Sequence, residues 1–154
     1  MIVSIHQPQY WPWPRYIHKV MSSDVFVYLD TVQFSKNGYQ NRNQIKIAGG
    51  PSWLTAPVTH RFGQTILDTK IADSTALEKH YKTLTLAYSG TRGYQKWKDE
   101  LHELFHAQPD SLCDISVATT EWMLGKLGVK TRRLKASDIL NINGRGSALI
   151  ASIC

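Results

Sequence analysis

The sequence predicts an α/β fold with a mostly parallel sheet, a strand–helix–strand start, an edge strand or hairpin, and a helical middle. Two apolar runs, residues 2–5 and 24–29, flank one amphipathic stretch, which is typical of a βαβ unit. Three further stretches of helical spacing lie between residues 74 and 126. Because 154 residues without internal repeats suit one domain, we expect residues 1–154 to form a single α/β domain.

The first unit sets the direction of the sheet. Residues 2–5 and 24–29 are predicted strands, and the residues between them provide the dozen or so positions that a parallel crossover needs. The predicted helix in this connection has prolines suited to its first turn and apolar residues at helical spacing, namely Pro12, Pro14, Tyr16, Ile17, Val20 and Met21. If the strands run parallel, His6-Gln7 and Asp30-Thr31 are neighbours at the carboxyl edge, where open α/β sheets bind ligands.

The rest of the chain alternates polar loops with periodic stretches. Residues 31–52 are expected to form a long ordered loop with room for a short hairpin, and Pro57 confines a strand over 53–58 to an edge or an end. The remaining predictions are helices over 74–88, 93–107 and 112–126, a stop at Gly128, a strand over 129–134, and a last helix after residues 144–147.

Charge and composition narrow the classes of partner. The net charge of +6 and a pI near 9.4 raise the possibility of a nucleic-acid partner. The basic residues are scattered, however, and no helical, zinc or aromatic-sheet motif for nucleic acids accompanies them, so a phosphorylated metabolite suits the chain better. The apolar start is too short for a membrane span, and Cys113 and Cys154 support neither a disulfide framework nor a metal site. We therefore expect a cytoplasmic protein.

Residues 6–13 crowd a strand-to-helix turn with polar and aromatic groups. The string reads His-Gln-Pro-Gln-Tyr-Trp-Pro-Trp. His6 at a strand end suits a general base or a phosphate ligand, because the pKa of histidine lies near neutrality. The alternative is a histidine that caps the strand and binds the backbone. Gln7, Tyr10 and Trp11 are candidate substrate-binding residues beside it.

A second polar string follows the second predicted strand. It begins with Asp30 and Gln33 and continues through residues 41–46, which read Asn-Arg-Asn-Gln-Ile-Lys. In an extended chain the side chains of Asn41 and Asn43 point to one face and that of Arg42 points to the other. Arg42 and Lys46 suit a phosphate or carboxylate, since arginine binds such groups through two N–H donors and lysine as a point charge. The alternative is an asparagine-rich turn with solvated charges.

A zinc hydrolase is a weaker alternative. His102-Glu103-Leu104-Phe105-His106 matches the His-Glu-x-x-His pattern, in which two histidines bind zinc and the glutamate activates water. No third ligand follows at a suitable spacing. We therefore expect no metal site, and the sequence identifies no cofactor.

These strings resemble the WbqC-like protein family. Its members begin with a strand and a His-Gln-Pro-x-Tyr-x-Pro-Trp string, to which residues 6–13 are similar. Leu29-Asp30, residues 32–36 and residues 41–43 are similar to its Leu-Asp, Val-Gln-Phe-Ser-Lys and Asn-Arg-Asn strings. The likeness is strong over about the first fifty-five residues and looser over 140–154. Relatives continue into a further strand and a glycine-rich turn, so we expect a chain truncated at its C-terminus relative to the family.

The resemblance implies a role in bacterial surface-polysaccharide synthesis, in O-antigen or capsule assembly. The implied class is a transferase that acts on a sugar or sugar nucleotide, with acyl or aminoacyl transfer to an amino sugar as one form. In that reading His6 is the base, Asp30 orients a partner, and Gln7, Tyr10, Trp11, Gln33, Asn41, Arg42, Asn43 and Lys46 bind substrate. The alternative is a non-catalytic domain that binds a small molecule or acts as a scaffold.

Overall fold

The computed structural model describes residues 1–107 and 109–154. The elements in chain order are β1 (Val3–His6), α1 (Pro14–Met21), β2 (Val25–Tyr28), β3 (Arg42–Ile47), β4 (Gly50–Thr55), β5 (Val58–Thr59), β6 (Lys70–Ile71), α2 (Thr75–Tyr88), α3 (Arg92–His106), α4 (Leu112–Lys126), β7 (Arg132–Lys135) and α5 (Ser147–Ile153). A 3₁₀ turn, Ala136–Asp138, follows β7.

The central sheet confirms the predicted α/β class. Its three strands lie in the order β1-β2-β7 and all pair in parallel. His6 pairs with Tyr28, and Tyr28 pairs with Lys135, so all three carboxyl ends lie at one edge. The two other sheets are antiparallel pairs, β3-β4 and β5-β6. Parallel pairing is therefore confined to the central sheet.

The two faces of the central sheet are covered by different elements. α1 begins with a proline in its first turn and buries three residues against the sheet, because apolar side chains at helical spacing share one face. This cluster comprises Tyr16, Ile17, Val20, Phe26, Tyr28 and Leu124, the last from α4. On the opposite face Val27, Leu29 and Ala136 pack against partly buried residues of α5. β1, α1 and β2 thus form the expected βαβ unit.

The β3-β4 hairpin lies in the segment where a long loop with room for a short hairpin was expected, and it is longer than expected. β3 pairs with β4 from Arg42↔Thr55 to Ile47↔Gly50, so the predicted loop over 31–52 contains a complete strand. Gly50 has φ +113°, a backbone conformation that glycine adopts without steric cost. The predicted strand over 53–58 is divided, because β4 ends at Thr55 and Val58 starts β5 beyond Pro57.

The helical middle agrees closely with the prediction. α2, α3 and α4 begin and end within one residue of the expected bounds. Thr91 Oγ1 accepts a hydrogen bond from Tyr94 N at the start of α3, and Ser111 Oγ accepts from Cys113 N at the start of α4, as N-cap residues do. Gly128 follows α4 with φ +67°, the conformation that ends many helices. None of the helices in the described part of the chain has the length and hydropathy required to cross a bilayer.

Candidate functional site

His6 lies at the carboxyl end of β1, beside the end of β2. Leu29 N donates a 2.8 Å hydrogen bond to His6 O, which holds the two strand ends together. The imidazole is half-buried, its Nδ1 lies 3.1 Å from Gln7 O, and its ring packs edge-on against Tyr16. Burial lowers the pKa of His6, and the positive charge of Lys19 acts in the same direction although the bond to Gln7 opposes it. His6 is therefore neutral at neutral pH.

Asp30 is fully buried at the same edge, and its carboxylate is bound within the protein. Oδ1 accepts from Ser137 N at 3.0 Å, and Oδ2 accepts from Ser137 Oγ at 2.6 Å. The Cys113 thiol lies 3.9 Å from Oδ2. Burial, with the charge of Asp30, raises the pKa of Cys113 to about 12, so this thiol stays protonated. Asp30 orients Ser137, and within residues 1–107 and 109–154 no hydrogen bond joins it to His6.

Gln7 connects the strand edge to the loop after β2. Its Oε1 accepts a 2.8 Å hydrogen bond from Gln40 Nε2. Gln40 is buried, and its Oε1 accepts a 2.7 Å hydrogen bond from Ser35 N. Gln40 O also accepts from Tyr10 N. This relay fixes the loop that contains Ser35, so Gln7 has a positioning role in the structure.

Tyr10 lies in the hydrophobic core, away from solvent. Its side chain has 0% exposure, and its hydroxyl lies 2.8 Å from His80 Nδ1. Burial raises the pKa of Tyr10 well above the ordinary value for tyrosine. Burial also lowers the pKa of His80 to about 4. Contact between the Tyr10 ring and a ligand would require the core to open.

Asn41 and Asn43 use their amides to hold the hairpin in place. Asn41 Nδ2 donates to Ala56 O at 2.9 Å, and Asn41 O accepts from Ala56 N at 2.8 Å. Asn43 Nδ2 donates to Trp11 O, while Asn43 Oδ1 accepts from Gln44 N. Asn43 lies on the core side of β3, and neighbouring residues on a strand point to opposite faces. Lys46 is exposed, and its backbone N donates to the Tyr88 hydroxyl at 3.1 Å.

Beside the hairpin lie two adjoining concavities that share Phe34, Lys36 and His60. Their volumes are about 420 Å³ and about 310 Å³. Together they form what we call the basic cleft, lined by Gln33, Phe34, Ser35, Lys36, Asn37, Asn41, Arg42, Thr55, Pro57, Val58, His60, Arg61 and Phe62. Residues 33–36 and 41–42, which belong to the two polar strings after β2, thus line adjoining concavities.

Arg42 is fixed in the wall of the basic cleft. Its guanidinium lies 4.5 Å from the centre of the Trp53 ring, and one terminal amino group donates to Asn37 O at 2.6 Å. Its Nε is buried and has no hydrogen-bond partner within the described ranges. A rigid guanidinium with unused donors suits a carboxylate or phosphate oxygen.

The electrostatics of the basic cleft favour an anion. Lys36, Arg42 and Arg61 contribute positive charge, and His60 adds an exposed imidazole. None of the described lining residues is acidic. A cleft lined by one sign of charge raises the local concentration of oppositely charged ligands. Sequence reasoning missed His60 and Arg61, because a short polar turn before Gly63 carries no periodic signal.

The His-Glu-x-x-His string is not assembled as a metal centre. The rings of His102 and His106 stack 3.7 Å apart on α3, and His106 Nδ1 lies 2.8 Å from His102 O. Over residues 1–107 and 109–154, no cluster of three His, Cys, Asp or Glu side chains is arranged to hold a metal ion.

The fold and site define an α/β protein whose parallel sheet is joined, through Gln7 and Gln40, to a basic cleft of ligand size. The chain belongs to the WbqC-like protein family, whose model matches residues 7–154. The resemblance noted in the sequence is thereby confirmed.

A curated relative spans nearly the whole chain. The uncharacterized protein Rv1507c of Mycobacterium tuberculosis, strain ATCC 25618 / H37Rv, is 29% identical over 155 residues, which cover 99% of this chain and 67% of that protein. No solved structure matches the chain significantly.

Proposed function

We propose that the chain binds a small anionic molecule of the sugar-nucleotide class in the basic cleft and acts as a cytoplasmic transferase in bacterial surface-polysaccharide synthesis. The observation that supports binding is the convergence of both polar strings on a cavity with three cationic side chains and no acidic one among its described lining residues. A diphosphate would meet Lys36, Arg42 and Arg61, and the remaining cavity has room for further groups of the ligand.

In the transferase proposal, His6 removes a proton from the acceptor amine or hydroxyl. Its lowered pKa supports this role, because a general base must be unprotonated at the working pH. Its position supports the proposal only through its neighbour Gln7, whose side chain is hydrogen-bonded through Gln40 to the cleft loop at Ser35. The reaction that we propose is acyl or aminoacyl transfer from an activated acyl donor to the amine of an amino sugar. The bond between the acyl carbon and the sugar nitrogen forms, the bond between the acyl carbon and the donor's leaving group breaks, and His6 passes the proton of the amine to that leaving group.

Binding without turnover is the second candidate function. The hydrogen bonding of the Asp30 carboxylate favours it. Its carboxylate accepts two hydrogen bonds from Ser137 and none from His6 within the described residues, so no contact in the structure supports a catalytic role for Asp30. A non-catalytic domain would keep the basic cleft and would not need His6.

Calorimetric titration with UDP-N-acetylglucosamine, UDP and a short DNA tests the binding proposal. Arg42→Ala and Lys36→Ala should each weaken nucleotide binding by about tenfold or more, since a charge-assisted hydrogen bond contributes roughly 1.5–3 kcal/mol. Lys98→Ala, which replaces an exposed lysine of α3 outside the cleft, is the matched control and should bind normally. Equal nucleotide affinity in all three variants would refute binding in the basic cleft. Binding of DNA, with no binding of either nucleotide, would show that the ligand is a polynucleotide and not a sugar nucleotide.

A product assay in which an activated acyl donor and an amino-sugar acceptor are both supplied, run beside the titration, separates the two candidate functions. His6→Ala should retain nucleotide affinity and lose transfer if the chain is the proposed transferase. Turnover retained by His6→Ala would remove His6 from the mechanism. Tight binding without turnover in the unaltered chain, over a panel of amino-sugar acceptors, would favour the binding domain.

A further inference from the structure

A second concavity lies among the helices, apart from the basic cleft. Its volume is about 210 Å³. We call it the aromatic pocket. Its lining comes from α2, α3, α4, the turn between α2 and α3, and the loop before α1, and consists of Trp11, Leu84, Tyr88, Thr91, Gly93, Tyr94, Trp97, Leu101 and Trp122. None of these side chains is charged. The pocket shares no lining residue with the basic cleft.

The wall formed by Trp11 is held in a strained backbone conformation. Its φ is +50°, which residues with a bulky side chain rarely adopt. Trp11 N donates to Thr119 Oγ1 at 3.2 Å and Trp11 O accepts from Asn43 Nδ2, so contacts on both sides fix the peptide. The indole also stacks on Phe105 at 5.8 Å. Such strained positions are concentrated at active sites and ligand-binding sites.

Charged side chains lie near the aromatic pocket but do not line it. Lys126 Nζ lies 4.0 Å from the ring centre of Trp97 and forms an ion pair with Glu100. Lys96 Nζ lies 4.4 Å from the same ring centre. Because the lining offers no charged side chain to pair with a buried ion, the pocket favours a neutral occupant.

The lining also retains a hydrogen-bond donor. The indole N–H of Trp122 is buried and has no partner within residues 1–107 and 109–154. Buried N–H groups are nearly always paired. A small rearrangement of this indole toward an acceptor on the ligand would satisfy its N–H.

The geometry points to a binding site for a neutral, ring-sized apolar group of a small molecule, with a hydrogen-bond acceptor at its edge. A dry cavity of about 150 Å³ is large enough for benzene, so 210 Å³ suits one ring or a short alkyl segment. The volume is too small for a helix or strand of a partner protein. This site goes beyond the proposed function, because it does not depend on the basic cleft.

Titration with benzyl alcohol, followed in ¹H–¹⁵N spectra of the indole N–H groups, tests the proposal. Three of the five tryptophans line the pocket, namely Trp11, Trp97 and Trp122. Trp13 and Trp53 lie outside it and are 43% and 44% exposed, so they serve as internal controls. We expect saturable shifts of the first three signals, caused by the ring current of the ligand, and little change in the other two.

Gly93→Leu should fill the pocket and abolish these shifts. A Cβ at Gly93 would have no other heavy atom within 4 Å, so the substitution adds volume without a backbone clash. Gly90→Leu is the matched control, because Gly90 is equally open and lies outside the pocket. It should retain binding. If Gly93→Leu does not fold, nuclear Overhauser effects from benzyl alcohol to the methyl groups of Leu84 and Leu101 in the unaltered chain provide the test.

Three results of the titration would overturn the proposal: shifts that do not saturate, equal shifts at Trp53, and unchanged binding in folded Gly93→Leu. A dimer in gel filtration that Gly93→Leu abolishes would assign the pocket to a second copy of the chain and would be a fourth such result. Absence of nucleotide binding by the unaltered chain would refute the proposed function and leave these results unaffected, so the two proposals fail independently.

Discussion

The carboxyl edge of the central sheet and the basic cleft are both rich in polar side chains, but they differ in where those groups find partners. At the sheet edge Asp30 binds Ser137, and Gln7 binds Gln40. In the cleft Lys36, His60 and Arg61 are exposed and line open space. The comparison teaches that polar density alone does not identify a binding surface. Groups bound within the protein stabilise the fold, whereas groups facing a cavity remain available to a ligand.

The largest effect that tests this contrast is expected at Asp30. Asp30→Ala leaves Ser137 N without its acceptor inside the protein, and it should reduce the free energy of unfolding by roughly 3 kcal/mol. Urea unfolding followed by circular dichroism measures the change. Asp138→Ala replaces an exposed carboxylate close by and should change stability by no more than about 0.5 kcal/mol. If Asp30→Ala lowers the free energy of unfolding by less than about 1 kcal/mol, the polar groups of the sheet edge do not stabilise the fold as proposed.

A smaller effect is expected from pH at the buried Tyr10–His80 contact. His80 has a folded-state pKa of about 4, below the ordinary value of 6.5. The unfolded chain therefore binds more protons between these values, and stability is complete above pH 6.5 and is lost as the pH falls toward 4. In the His80→Gln variant the free energy of unfolding should therefore depend less on pH between about 4 and 6.5. His18→Gln, at an exposed histidine of α1, should leave it unchanged, and equal slopes in the unaltered chain and His80→Gln would contradict the assignment.

The smallest effect on stability is expected in the basic cleft. Lys36→Ala removes an exposed side chain, so the free energy of unfolding should change by less than about 0.5 kcal/mol. The same variant should show the weaker nucleotide binding predicted for the cleft. Thermal unfolding with and without UDP separates the two effects, because a ligand that binds the native state raises Tm. A destabilised Lys36→Ala variant would show that this lysine stabilises the fold, as Asp30 is expected to do.

Most of the fold could be predicted because its long elements have strong local patterns. α2 to α4 repeat apolar residues at helical spacing over about four turns each, and β1 and β2 are short apolar runs. β3 was harder to predict, because its outward residues, Arg42, Gln44 and Lys46, gave the segment a loop-like polarity. β5 and β6 have two residues each, too few for any period to show.

The candidate site was predicted only in part, because tertiary contacts assemble it. Gln33 and Arg42 lie in the basic cleft as a pair of polar strings suggested. An antiparallel β-bridge between Gln33 and Thr65 brings the segment that contains His60 and Arg61 beside Gln33. No local sequence pattern reveals this contact. Tyr10 was predicted to bind substrate, but its burial depends on the distant His80. The catalytic roles of His6 and Asp30 remain predictions.

The pairing of β2 with β7 also governs how the molecule folds. Asp30 and Ser137, which meet just beyond these strands, are separated by 107 positions. Closing so long a loop is entropically costly, and contacts of this range slow folding. We therefore expect the pairing of β2 with β7 to form later in folding than the local contacts of the helices. During synthesis on the ribosome, the edge of β2 that pairs with β7 has no partner strand until β7 emerges. Until then this edge is open to pairing with other chains.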